Sequence, residues 1–346
     1  MSDTQSFSGG IVVSGVRRAF GTVYAVRDVS FTAEPGTVTA LIGPNGSGKT
    51  TLMLMLASLL RPDAGRIRIA GHDPLTATSA VRQAVGWMPD VLGSWASLSV
   101  RSTLETTGRL YRMDRMTAAA RAAELIALVG LTELADQPTR VLSRGQKQRL
   151  SLARALVHDP EVLLLDEPAS GLDPVARIEL RRLVRRVAAE GKTVLVSSHV
   201  LAELDEMADA AVYIEHGVTA STDRVAGAKR SARAWRIRSS DLLGLEHALL
   251  SIGVAQAEIT RDRAELLVAV GSETAAAELL RRIVASGLPI SVFAPAVGDL
   301  EHTFLDLSRS AAAVSVTRAP ITTMPTTSMP ITSTPTDSIS IDGDGR

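Results

Sequence analysis

The sequence predicts an α/β fold organised on a parallel sheet, followed by a smaller α+β module. Three observations predict it. The segment Gly43-Pro44-Asn45-Gly46-Ser47-Gly48-Lys49-Thr50 lies between an apolar run, Val38 to Ile42, and a helical one, Leu52 to Leu60, and so reads as strand, loop and helix. Val162 to Leu165 is a short apolar run ending in Asp166-Glu167, the pattern of a buried parallel strand that delivers carboxylates to its C-terminal edge. After residue 233 the order strand, helix, strand, strand, helix, strand (Trp235–Arg238, Leu242–Ile252, Ala255–Ile259, Leu266–Val270, Thr274–Ser286, Ile290–Phe293) predicts a ferredoxin-like arrangement.

A chain of 346 residues exceeds the size at which one core stops growing, so two domains are expected. We place them at 8–222 and 233–308, with 310–346 as a tail. Lys and Arg (37) balance Asp and Glu (37), so no net field draws the chain to nucleic acid, and no nucleic-acid partner is expected. The absence of cysteine excludes disulfides, thiolate nucleophiles and zinc–thiolate sites. Met1 to Gly10 lacks the basic and apolar regions of a signal peptide, and no apolar run approaches the ~20 residues of a membrane span. Any membrane connection is expected through a partner.

In chain order, Ile11 to Val13 and Val29 to Phe31 read as strands broken by Gly21 and Pro35-Gly36. Residues 76–135 are rich in Ala, Leu and Arg with helical spacing and predict a helical insertion, within a helical subdomain at about 76–158. Leu142-Ser143-Arg144-Gly145-Gln146 precedes a helix through Leu156. Ser170 to Pro174 is a turn before a basic amphipathic helix, Val175 to Ala189, whose arginines are expected on a solvated face. Thr193 to Ser197 is another buried strand with His199 at its end. Asp299 is the expected N-cap of a closing helix to Leu307. From about Ser310 the prolines at 320, 325, 330 and 335 among Thr, Ser and Ile predict disorder.

The chemistry is concentrated at strand ends. Gly43, Gly46 and Gly48 allow backbone N–H groups to turn inward and line an anion-sized hollow, which opens on a helix N-terminus. Lys49 is placed to reach β- and γ-phosphates, and the Thr50 hydroxyl to ligate Mg²⁺. Asp166 is placed to hold Mg²⁺, and Glu167 to orient or deprotonate an attacking water. A lone histidine is more often structural, but His199 at this edge can contact a γ-phosphate. Phe20 can stack on an adenine ring or be simple core, and the residues alone leave both open.

The order of these motifs resembles the nucleotide-binding subunit of ATP-binding-cassette (ABC) transporters over roughly residues 8–222. Leu142 to Gln146 looks like the signature motif of that family. The resemblance implies the P-loop NTPase cassette fold, a parallel core sheet with an antiparallel β subdomain and a helical subdomain. It also implies ATP and Mg²⁺ as cofactors, with Gly43, Asn45, Gly46, Ser47, Gly48, Lys49, Thr50 and Thr51 around the phosphates. Phe20 then matches the adenine-stacking aromatic, with Tyr24 as the fallback. A head-to-tail homodimer is implied, in which Ser143 and Gly145 of one chain reach the γ-phosphate of ATP held by the other, and Gln146 and Asp173 are implied as further ATP-binding residues.

Two positions depart from the family pattern: Asp90 stands where a glutamine is usual, and Arg144 where a glycine is. Asp90 can still ligate Mg²⁺ or water but donates no hydrogen bond. Residues 233–308, including Leu300 to Leu305, look similar to the C-terminal extension of the drug-resistance and ABC-2-type exporter ATPases. The resemblance therefore implies an ATPase at the cytoplasmic face of the membrane that drives a separate ABC-2-type permease, exporting a drug, lipid or glycan. Two alternatives stay open: a soluble ABC ATPase serving the ribosome or DNA, and an ATP-gated regulatory module with little turnover.

Overall fold

Alternating burial begins at once: Ile11, Val13 and Val16 of β1 (Ile11–Phe20) and Val26, Val29 and Ala33 of β2 (Val23–Ala33) face inward across an antiparallel hairpin. The computed structural model describes residues 9–317 except 92 and 94, with side chains as far as 309. β3 (Val38–Ile42) leads through the phosphate loop into α1 (Lys49–Leu56), and β4 (Ala64–Ile69) returns to pair antiparallel with β1. α2 (Thr78–Ala84) feeds β5 (Val85–Met88), and α3 (Val100–Leu110), α4 (Arg115–Leu128) and α5 (Arg144–Leu156) follow. Next come β6 (Val162–Asp166), α6 (Pro174–Ala189), β7 (Thr193–Ser197), α7 (Leu201–Asp205), β8 (Ala210–Glu215), β9 (Val218–Thr219) and α8 (Thr222–Arg230).

These strands form one nine-stranded sheet in the order β4-β1-β2-β9-β8-β3-β7-β6-β5. From β8 to β5 every neighbouring pair is parallel, and all five residues of β3, β6 and β7 are buried. Continuous burial is what parallel strands covered on both faces require. Their residues still alternate between two cores. Val38, Ala40 and Ile42 of β3 join Leu163, Leu165, Val194 and Val196 and the helices α3 to α6, whereas Leu41, Leu164 and Leu195 join α1 and the antiparallel strands. Each such leucine contributes roughly 1.5–3 kcal/mol by leaving water.

The region expected to be helical from 76 to 135 is not uniformly so, because β5 lies within it and pairs with β6. Four residues between helices carry too short a period to read. His158 helps hold this edge. It stacks on Tyr111, ring centroids 3.7 Å apart and nearly coplanar, and its Nε2–H donates to the Val85 carbonyl at 3.0 Å. Burial, the largest cause, lowers its pKa from 6.5 to about 4. The folded ring is thus neutral where the unfolded one takes a proton, so its stabilisation is complete above pH 6.5 and is lost as pH falls toward 4. Denaturant midpoints should show His158→Gln less stable than the parent at pH 7. That gap should narrow by about 2 kcal/mol at pH 5.

β10 (Arg233–Ser239), α9 (Leu242–Ser251), β11 (Ile259–Asp262), β12 (Glu265–Val270), α10 (Glu273–Ala285) and β13 (Ile290–Pro295) build a four-stranded antiparallel sheet, order β11-β12-β10-β13. This is the ferredoxin-like order, around a core of Ile237, Leu245, Leu249, Leu266, Val268 and Ile283. The strand expected at Ala255–Ile259 begins only at Ile259. Residues Gln256–Glu258 form a single tight turn, closed by the Ala255 N–H donating to Glu258 Oε2 at 3.2 Å.

The closing helix α11 spans Asp299–Thr317, beyond the expected end at Leu307. Ala311 to Ala313 are strong helix formers inside a stretch expected to be disordered. Asp299 is not its cap. The helix starts at Asp299, whose carboxylate pairs with Arg233 at 2.7 Å, and the Leu300 N–H is taken at 2.8 Å by Asp205 Oδ1, from the last residue of α7. The chain divides into a unit ending at Arg309 and a second from Ser310, of which residues 310–317 are helical. The prolines of the expected tail lie outside the described residues. Among the described residues no helix is long and apolar enough to cross a membrane.

Candidate functional site

β3, β7, β6 and β5 are adjacent and parallel, so their C-terminal ends open on one edge. β3 delivers the phosphate loop, β6 delivers Asp166 and Glu167, β7 leads to His199, and β5 leads to Asp90. A cavity of about 580 Å³ lies there. Phe20, Asn45, Gly46, Gly48, Lys49, Thr50, Thr51, Asp90, Asp166, Glu167 and His199 border it, joined by Ala25 and Ser170, which the sequence did not single out.

The loop shape follows from its glycines. Gly48 has φ +100°, and a Cβ there would collide with the Ala25 carbonyl. Gly43 and Ser47 do not border the cavity: a Cβ on Gly43 would meet the Ile214 carbonyl, and Ser47 is buried with its N–H donating to Pro44 O at 3.1 Å. Both therefore hold the loop against the sheet rather than face its hollow. Lys49, only 8% exposed, donates from Nζ to the Gly43 and Pro44 carbonyls at 2.7 and 3.1 Å. Burial lowers its pKa, against the opposing pull of Glu167 and Asp166.

Asp166 is buried at 3% exposure, and its Oδ1 accepts the Ser197 hydroxyl at 2.5 Å. Ser197 was missed in the sequence; its only signal there was a hydroxyl ending a buried strand. Glu167 sits in the left-handed region, φ +51°. Its Oε2 accepts from the His199 N–H at 3.2 Å and from Nδ1 at 2.7 Å, which leaves Nε2 of that ring free of this bond. On the opposite wall Phe20 is half exposed, with the Arg18 guanidinium 4.9 Å above its ring. Tyr24, the alternative aromatic, is exposed but does not border the cavity.

Ser143, Gly145, Gln146 and Asp173 also lie off this cavity. Ser143 and Gln146 form a reciprocal capping box at the start of α5, Ser143 N–H to Gln146 Oε1 at 2.8 Å and Gln146 N–H to Ser143 Oγ at 3.2 Å. Asp173 caps α6, accepting the Val175 and Ala176 N–H groups at 3.0 Å each. Of the arginines of α6, Arg182, Arg185 and Arg186 are exposed as expected, whereas Arg177 pairs with Glu203 at 3.1 Å and Arg181 with Glu206.

The ABC transporter family model matches residues 26–170. The ATP-binding protein NatA of Bacillus subtilis is 36% identical over 196 residues, covering 56% of this chain and 80% of NatA. The chain belongs to the ABC transporter ATP-binding family. Two further relatives of this cassette are the daunorubicin resistance ATP-binding protein DrrA3 of Streptomyces coeruleorubidus and the Nod factor export ATP-binding protein I of Burkholderia lata. Each is 40% identical, over 207 and 202 residues, covering 60% and 58% of the cassette chain. The matched region spans 66% of the length of each of these two relatives.

Solved structures agree on the fold. cbiO1 of Clostridium perfringens, part of the ABC transporter complex cbiONQ, is 26% identical with a TM-score of 0.57 over 62% of this chain and 88% of its own. The cassette MJ0796, solved as a dimer in a post-hydrolysis state with ADP and Pi, is 24% identical with a TM-score of 0.57, over 61% and 97%. The ABC cassette thus accounts for the nine-stranded part of the molecule.

Proposed function

We propose that the chain binds and hydrolyses ATP as the nucleotide-binding subunit of an ABC-2-type exporter, working at the cytoplasmic face of a membrane with a separate permease. The observation that carries this reading is the convergence of Lys49, Thr50, Asp166, Glu167 and His199 on one cavity. The names of the relatives, daunorubicin resistance and Nod factor export, support a drug, lipid or glycan as the transported cargo.

Phe20 stacks on the adenine, and the Gly46–Gly48 backbone and Lys49 hold the phosphates. Thr50, Asp166 and Asp90 are oxygen donors around one cavity, the hard ligand type that suits Mg²⁺. Among the described residues no three acidic or histidine side chains cluster to hold a metal unaided. Held by Thr50, Asp166 and Asp90, Mg²⁺ would neutralise charge on the phosphates. Glu167, directed by its two bonds from His199, takes the proton of the attacking water. His199, whose Nδ1 is engaged by Glu167, contacts the γ-phosphate through Nε2.

Ser143 and Gly145 sit at a helix N-terminus and contribute nothing to their own cavity. That placement supports a head-to-tail homodimer in which they cover the γ-phosphate held by a second chain. Ser143→Arg should leave the affinity for a fluorescent ATP analogue within about twofold, while ATP-driven dimerisation in sedimentation disappears and hydrolysis falls by about 10² or more. A variant that still dimerised and hydrolysed ATP normally would sink the head-to-tail arrangement.

A further inference from the structure

Arg144, between Ser143 and Gly145, turns back onto its own chain. Its Nε–H donates to the Ser170 carbonyl at 3.2 Å and an Nη2–H to Ser170 Oγ at 3.0 Å. The guanidinium crosses Gly171, φ +73°, where any Cβ would collide with it. One turn along α5, Gln148, 1% exposed, donates from Nε2 to the Glu167 carbonyl at 3.2 Å. The start of α5 therefore grips the segment from Glu167 to Ser170 at both ends. A cation in the first position of a helix opposes the dipole, so the stability of α5 is not what Arg144 serves.

Ser170 borders the nucleotide cavity. Because its Oγ accepts from Arg144, its single proton is directed away from the guanidinium. Among the described residues nothing accepts that proton.

We propose that Arg144 is a positioning residue for hydrolysis: acting through Ser170, it fixes the turn that follows Glu167 and aims the Ser170 hydroxyl into the cavity as a donor to the phosphate or to the attacking water. This rests on the cavity being the ATP-hydrolysing site. The planar fork matters, because one guanidinium meets two acceptors of a single residue at once, which an ammonium on a flexible stem does not reproduce.

Steady-state hydrolysis by the purified full chain tests it. Arg144→Ala is expected to lower kcat about tenfold with KM within about twofold, the signature of an interaction made in the transition state rather than in binding. Arg144 is exposed, so the thermal midpoint should stay in place. Ser170→Ala should match the loss, the double variant should add nothing to it, and Arg144→Lys should recover only part of the rate. An unchanged kcat in Arg144→Ala, or losses that multiply in the double variant, overturns the proposal.

ATP-driven dimerisation in a Glu167→Gln background separates the remaining reading. Arg144→Ala should still dimerise there; if it does not, Arg144 acts on the second chain and the proposal is overturned. A parent chain that neither binds nor hydrolyses ATP removes the site itself and the proposal with it. A fully active parent beside an equally active Arg144→Ala removes the proposal alone.

Discussion

Glu167→Gln should leave the chain able to bind ATP but lower its hydrolysis by about 10²–10⁴, the share usually carried by a positioned general base. The amide has nearly the shape of the carboxylate and can still accept one bond from His199, so the wall of the cavity is kept. It cannot take a proton from water. The backbone at 167 need not move either, since the N–H bonds to Ser197 O at 3.2 Å and the carbonyl to Gln148, both independent of the side chain. Phosphate release under multiple turnover, set against affinity for a fluorescent ATP analogue, gives the two readings. Hydrolysis at the parent rate would remove Glu167 as the base.

Lys49→Ala should act on the other half of the problem and weaken ATP binding by about 10²-fold, the equivalent of roughly 3 kcal/mol for a charge-assisted contact to phosphate. Lys49 is buried, and desolvation already works against its charge, which Glu167 and Asp166 support. Without it the two carboxylates confront the triphosphate uncompensated, and the Gly43 and Pro44 carbonyls lose their donor. Calorimetric titration of the variant with ATP reads the effect directly. An affinity equal to that of the parent would mean that the phosphates lie elsewhere.

The parts of the site legible in the sequence were those whose chemistry is local. The phosphate loop, the four apolar residues before Asp166 and the stretch Leu142 to Gln146 before a helix each carry their own pattern within a few positions. The rest depends on contacts between distant segments. Ser197 reaches Asp166 across 31 positions, Arg144 reaches Ser170 across 26, and Asp205 reaches Leu300 at the start of α11 across 95. No periodicity announces such pairs. β5 was hidden for a different reason: a four-residue strand between helices is too short for alternation to show. The strand expected at Ala255 was displaced because a local cap by Glu258 competes with ladder pairing, and it prevails until Ile259.

The left-handed backbone at Glu167 has its own implication. A residue with a Cβ in that region costs about 1–2 kcal/mol, a cost that glycine escapes and asparagine softens. Folding alone would therefore favour a different side chain at the end of β6. The carboxylate stands there against the preference of the backbone beneath it, so stability and turnover draw this single position toward different amino acids.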